Sequence, residues 1–144
     1  MKPENVLIDA DGFALLTDFG LSKENMTGDE QGKARSLVGT AEYLAPEILD
    51  SKPEYGFACD WWSFGVLLYE MIAGLPPFYS TDRRILFDNI RNQEVTFYKC
   101  HDPVTRDLLY RLLAKEPRMR LSDPEEIMEH QFFAKIDWQK MLAR

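Results

Sequence analysis

The sequence predicts a mainly α domain opened by one short β-hairpin. Three observations carry that prediction. β-prone residues flank Asp11-Gly12, a long apolar stretch is bracketed by Asp60 and Gly74, and three amphipathic stretches fill the second half.

In chain order, Val6-Leu7-Ile8 and Phe13-Ala14-Leu15-Leu16-Thr17 are apolar and suited to strands, and Asp11-Gly12 between them is a favoured two-residue turn. With that turn, Ala10 pairs with Phe13, Ile8 with Leu15 and Asn5 with Asp18. A carboxamide and a carboxylate then reach the open end of the hairpin side by side. Two oxygen donors on one spot suit a hard cation such as Mg²⁺. On the hairpin alone, an Asn capping a strand and an Asp capping a turn explain the residues equally well. A one-residue slip would undo the facing pair.

Residues 21–35 are polar, contain glycine and show no period, so they are expected to form a mobile loop. Pro46 is placed to open a short helix. Asp60 as N-cap and Gly74 at the end bracket a helix that Pro76-Pro77 stops. That helix is apolar nearly all round and is expected to be buried on all sides, as the core rod of the fold. Amphipathic helices are expected at roughly 82–92, 103–114 and 124–130. Asp102-Pro103 and Asp123-Pro124 each set a capping carboxylate before a first-turn proline, and Glu126 completes a capping-box-like pattern with Asp123.

The 144 residues amount to one domain or part of one, with 45% apolar and 12% aromatic residues. Lys and Arg number 17 against 24 Asp and Glu, a net charge of −7. Such a surface repels nucleic acid and steers a basic peptide towards itself. Cys59 and Cys100, far apart and outside any CxxC, read as small buried apolar residues of a cytoplasmic or nuclear protein. His101 and His130 lack metal-ligand spacing and read as surface or capping residues. No N-terminal signal is legible, and the longest apolar run, 64–75, is too short to span a bilayer.

Lys2-Pro3-Glu4-Asn5, Asp18-Phe19-Gly20, Ala45-Pro46-Glu47 and Asp60-Trp61-Trp62-Ser63-Phe64-Gly65 stand in the order and spacing of a eukaryotic protein kinase, with Arg120 following in its expected place. The resemblance covers essentially the whole chain. Gly39-Thr40-Ala41-Glu42-Tyr43-Leu44-Ala45-Pro46-Glu47 and the stretch from His130 to Trp138 resemble the AGC group, near the Akt, ribosomal S6 and cyclic-AMP-dependent kinases. The resemblance implies that residues 1–144 are a partial kinase domain: the C-lobe with a short N-terminal hairpin, lacking the N-lobe. It runs from the end of the catalytic loop through the activation segment to the large C-lobe helices.

It also implies the roles. ATP and two Mg²⁺ ions are the expected cofactors, with Asn5 and Asp18 as metal ligands. Lys2 would touch the γ-phosphate, Leu7 would floor the adenine, and Thr17 would complete the nucleotide site. Ser36 would be the activating phosphosite, set by an upstream kinase and paired with Lys23; an ordinary loop serine is the alternative. Leu37, Ala41 and Leu44 would line the pocket for the residue after the phosphoacceptor, and Thr40 would face the catalytic loop. Glu4, Glu42 and Glu70 would select arginine in basic protein substrates, since paired carboxylates bind guanidinium bidentately. Glu70, in an otherwise apolar helix, needs a polar partner. Glu47 and Arg120 would form a buried ion pair.

The family's catalytic loop reads His-Arg-Asp-Leu-x-x-x-Asn, and counting back from Asn5 sets its Asp just before Met1. The Gly-rich loop, the strand lysine and its glutamate partner are also absent from the 144 residues. The expectation is a truncated Ser/Thr kinase, inactive alone, with an uncovered apolar patch on the 61–74 helix that favours poor folding or aggregation. The competing reading is a short non-catalytic product that binds basic substrates or an upstream kinase as a decoy.

Overall fold

The computed structural model describes residues 1–18, 41–50, 56–99 and 102–143. The expected mobile loop, Phe19, Gly20, Lys23, Ser36, Leu37, Thr40, Cys100 and His101 lie outside the described residues. Among the described residues the fold is mainly helical with one small antiparallel hairpin: β1 (Val6–Ile8), β2 (Ala14–Leu16), α1 (Phe57–Ala73), α2 (Arg83–Asn92), α3 (Pro103–Leu112), α4 (Pro124–Glu129) and α5 (Trp138–Leu142), with short 3₁₀ turns between.

The hairpin forms in a different register from the expected one. Val6 pairs with Leu16, Leu7 with Leu15 and Ile8 with Ala14. The cause is Asp9. Its Oδ1 accepts the N–H groups of Asp11 at 3.0 Å and Phe13 at 2.8 Å, while its own N–H donates to Phe13 O at 2.9 Å. These bonds hold a three-residue loop, Ala10-Asp11-Gly12, with Gly12 at φ 89. The extra residue shifts every pair by one, so Asn5 faces Thr17, whose N–H reaches Asn5 O at 2.8 Å. Leu7, Ile8, Leu15 and Leu16 are all exposed. A two-stranded ribbon with no buried face is marginal in water. Hydrogen exchange should therefore find the amides of β1 and β2 nearly unprotected while those of α1 and α3 exchange orders of magnitude more slowly. Comparable protection in both would contradict this.

α1 starts earlier than the sequence suggests. It begins at Phe57 after an extended Gly56, and Asp60 sits in the first turn instead of at the cap. An acid there complements the helix dipole as an N-cap acid does, so the residue type alone could not separate the two positions. Gly74 closes α1 in the left-handed region at φ 86, its N–H on Glu70 O at 2.7 Å. The middle of α1 is buried from Trp62 to Tyr69, but the helix is not buried on all sides: Phe57 and Met71 at its ends are exposed.

Trp62 has no exposed surface, stacks on Phe78 at 5.7 Å and belongs to one core with Val66, Ile90, Leu108, Leu109 and Leu112. Gly65 lets α3 approach: a Cβ built on it would sit 2.9 Å from Leu112 Cβ. The capping aspartates behave as their positions imply. Asp82 accepts from Arg84 and Ile85, Asp102 from Thr105, and Asp123 from Glu125 and Glu126. α3 ends at Leu112, short of the expected Ala114, because the carbonyls of Ala114 and Lys115 turn towards Arg120. α4 stops at Glu129, and His130 caps the following turn by accepting from Phe132 N–H at 3.1 Å.

The Asp102 cap carries a pH dependence. The Thr105 hydroxyl and N–H hold its carboxyl below the usual carboxylate range. The folded state thus favours the carboxylate, so this stabilisation is complete above the ordinary aspartate pKa and disappears as pH falls through the lowered one. In urea titrations the gap in stability between wild type and Asp102→Ala should be widest near neutrality and shrink in strong acid. A gap that widens on acidification would refute the assignment.

Candidate active site

Three groups of the residues singled out by sequence come together, each on a different support. The first is the open end of the hairpin. Asn5 closes a 3₁₀ turn, Pro3–Asn5, which Pro3 opens and whose Asn5 N–H bonds Lys2 O at 3.0 Å. Across from it Thr17 donates its N–H, and at 3.3 Å its hydroxyl, to Asn5 O. Asp18 follows with φ 62. An aspartate tolerates that left-handed conformation better than most residues, and such backbone is typical of functional sites. The expected Asn5–Asp18 facing pair is thus replaced by an Asn5–Thr17 pair with Asp18 one residue further on. Among the described residues neither the Asn5 nor the Asp18 side chain is tied to another side chain. Lys2 is half-buried, while Glu4 and Leu7 are exposed. Among the described residues no group of three or more His, Cys, Asp or Glu is placed to hold a metal.

The second group is carried by the 3₁₀ turn Ala41–Tyr43 against α1. Tyr43 is buried, and its hydroxyl donates to Glu70 Oε2. This is the polar partner that a carboxylate in an apolar helix requires. Burial pushes the Tyr43 phenol above its ordinary pKa, and the Glu70 hydrogen bond and the charges of Glu70, Glu4 and Glu42 add to the shift. All three carboxylates therefore act on one phenol. At the other end of the same residue Ser63 Oγ donates to Tyr43 O at 2.9 Å. Ala41 and Leu44 lie half-buried in the same segment.

The third group is the Glu47–Arg120 pair, seventy-three residues apart in the chain. The two N–H···O bonds are 2.6 and 2.9 Å, and the arginine side chain is fully buried. Its remaining donors reach Ala58 O at 2.9 Å, Ala114 O at 3.0 Å and Lys115 O at 3.3 Å. Trp62 lies under the guanidinium at 5.0 Å. The pair fastens the turn Pro46–Leu49 to the segment after α3.

Sequence reasoning missed Tyr43, Ser63 and Lys115. Ser63 stands seven residues before Glu70, on the same face of an apolar helix, and that spacing was a usable signal. Lys115 had none: its Nζ caps α2 through Ile90 O at 2.7 Å and Asn89 O at 3.3 Å and sits 3.6 Å from the Phe78 ring. Cys59 is half-buried against the core, a free thiol that burial pushes above its ordinary pKa.

Residues 1–133 match the protein kinase domain family. The chain therefore belongs to the protein kinase family. Within it, the chain falls with the AGC-group serine/threonine kinases of the Akt and SGK type. It is 43% identical over 148 residues to the human RAC-beta serine/threonine-protein kinase, covering all of this chain and 30% of that protein. It is 44% identical over 144 residues to the RAC family serine/threonine-protein kinase homolog of Dictyostelium discoideum, 32% of whose length is covered. Against the serine/threonine-protein kinase sgk-1 of Caenorhabditis elegans the identity is 45% over 147 residues, with 31% covered. The chain spans about a third of the length of these relatives. Among the described residues no helix is long and apolar enough to cross a membrane.

Proposed function

We propose that this chain serves as the large-lobe part of a kinase that transfers phosphate from ATP to Ser or Thr in basic, arginine-containing proteins. The observation that carries this reading is the open end of the hairpin, where Asn5 and a left-handed Asp18 stand on adjoining strand ends with no competing side-chain partner among the described residues. A carboxamide and a carboxylate are the hard oxygen donors that Mg²⁺ takes, so the residues present fit the ion. ATP bound with Mg²⁺ supplies the transferred phosphoryl group and neutralises its charge.

The chain's own residues do the rest by positioning. Asn5 and Asp18 would hold the two ions, Lys2 would set a mobile positive charge near the γ-phosphate, and Leu7 and Thr17 would flank the nucleotide. Glu4, Glu42 and Glu70 would bind guanidinium groups upstream of the phosphoacceptor. Leu37, Ala41 and Leu44 would line the pocket for the residue after the phosphoacceptor, and Thr40 would face the catalytic loop. Ser36, with Lys23, would carry an activating phosphate set by an upstream kinase. The protein is expected to work in the cytoplasm or nucleus.

The 144 residues expressed alone are expected to show no ATP- and Mg²⁺-dependent transfer, because they hold no Gly-rich loop and no catalytic-loop aspartate. Transfer by such a preparation that Asp18→Ala abolishes would refute this. Placed in the human RAC-beta kinase instead of the segment it aligns with, the chain should support phosphorylation of an arginine-containing peptide. Asp18→Ala should then lower the rate about a hundredfold to a thousandfold. A chimera indifferent to that change would overturn the metal assignment.

A further inference from the structure

We propose that Ser63 is a positioning residue for the carboxylates around Tyr43, holding Tyr43 so that Glu70 and Glu42 meet an arginine in the right orientation. This deepens the function proposed above and rests on it. Ser63 is buried in the middle of α1, and its one hydroxyl proton has two acceptors in reach. They are Tyr43 O at 2.9 Å and Cys59 O at 3.1 Å. The Cys59 contact is the back-bond to residue i−4 that a serine in any helix can make. The Tyr43 contact is the shorter and ties together segments twenty residues apart.

Glu70 is seven residues further along α1, two turns away on the same face and about 10 Å along the axis. It takes the Tyr43 hydroxyl. Tyr43 is therefore pinned along α1 at both ends, by its carbonyl to Ser63 and by its phenol to Glu70. Glu42 precedes this strut and Leu44 follows it, and Leu44 N–H closes the turn on Ala41 O at 3.3 Å. Releasing the carbonyl end frees the phenol to swing and takes the Glu70 carboxylate and the Glu42 backbone with it. The two ends act as one device, so losing either should have the same consequence as losing both.

The test keeps the labelled 144-residue protein at low nanomolar concentration, below self-association, and titrates two peptides that differ only by arginine or glutamine upstream of a serine. Wild type should prefer the arginine peptide. Ser63→Ala should cut the ratio of the two affinities about threefold to tenfold, the order expected from losing one buried hydrogen bond. Tyr43→Phe, which keeps the ring and removes the phenol end, should cut it by a similar factor. The double variant should fall no lower than the singles. A wild type without arginine preference would sink the functional reading itself. Arginine preference in wild type that Ser63→Ala leaves intact would sink only the Ser63 proposal, as would two single effects that multiply in the double variant. Should Ser63→Ala fail to fold, the Tyr43→Phe ratio decides: a preference equal to wild type overturns the strut.

Discussion

Arg120→Ala should destabilise the domain by about 3–5 kcal/mol, the usual consequence of stranding one member of a buried ion pair. A domain of this kind has about 5–15 kcal/mol in total, so the variant should lose between about a fifth and all of its stability and melt at a clearly lower temperature. The Glu47 carboxylate left behind is buried, and the carbonyls of Ala58, Ala114 and Lys115 lose their donor as well. Those carbonyls separate two explanations. Replacing Arg120 and Glu47 together by Met and Leu removes the stranded charge and should recover part of the stability, since apolar replacements of buried pairs are often neutral. The carbonyls of Ala114 and Lys115, past the end of α3 and without that donor, should keep it below wild type, while Ala58 O retains its place in the α1 hydrogen-bond ladder. Urea unfolding of the single and double variants measures both steps. A double variant matching wild type would mean that water reaches those carbonyls.

Gly65→Ala should lower stability by about 1–3 kcal/mol, against the trend for helical glycines, which generally gain about 1 kcal/mol on becoming alanine. The sign turns on what the new methyl meets. It would lie 2.9 Å from Leu112 Cβ and 3.1 Å from a Leu113 methyl. The leucine methyl can rotate away, but a Cβ is fixed to its backbone, so α1 and α3 must move apart. Separating them loosens Trp62, Val66, Leu108 and Leu109 on either side. Gly65→Val should be worse still. A thermal midpoint unchanged or raised by the alanine variant would show that the two helices slide freely.

Much of the fold could be read locally. The caps at Asp82, Asp102 and Asp123 are legible because a side chain and the N–H groups it satisfies lie within three residues. The hairpin was legible as a pair of strands but not in register, because Asp9 decides the loop length and the eye goes to Asp11-Gly12. α1 was found but begun too late, since an acid suits the cap and the first turn alike. Contacts made at long range left at most a trace of one partner. Tyr43 with Glu70 spans twenty-seven residues and Tyr43 with Ser63 spans twenty. Glu70 announced that it needed a partner without saying which. Glu47 with Arg120 could be named only through the family resemblance, as could the role assigned to Lys2, whereas the hairpin alone left metal binding and capping equally open for Asn5 and Asp18.

The span between Glu47 and Arg120 also governs how this domain can be made. During synthesis at about 5–20 residues per second, Arg120 is added roughly 4–15 s after Glu47. Throughout that interval the nascent chain holds a carboxylate whose folded environment is apolar and whose only guanidinium has not yet been translated. The turn that carries Glu47 cannot close its ion pair with Arg120 before then. A ribosome paused after α1 has emerged and before Arg120 is added should display the α1 surface naked, as a target for chaperones that bind apolar segments.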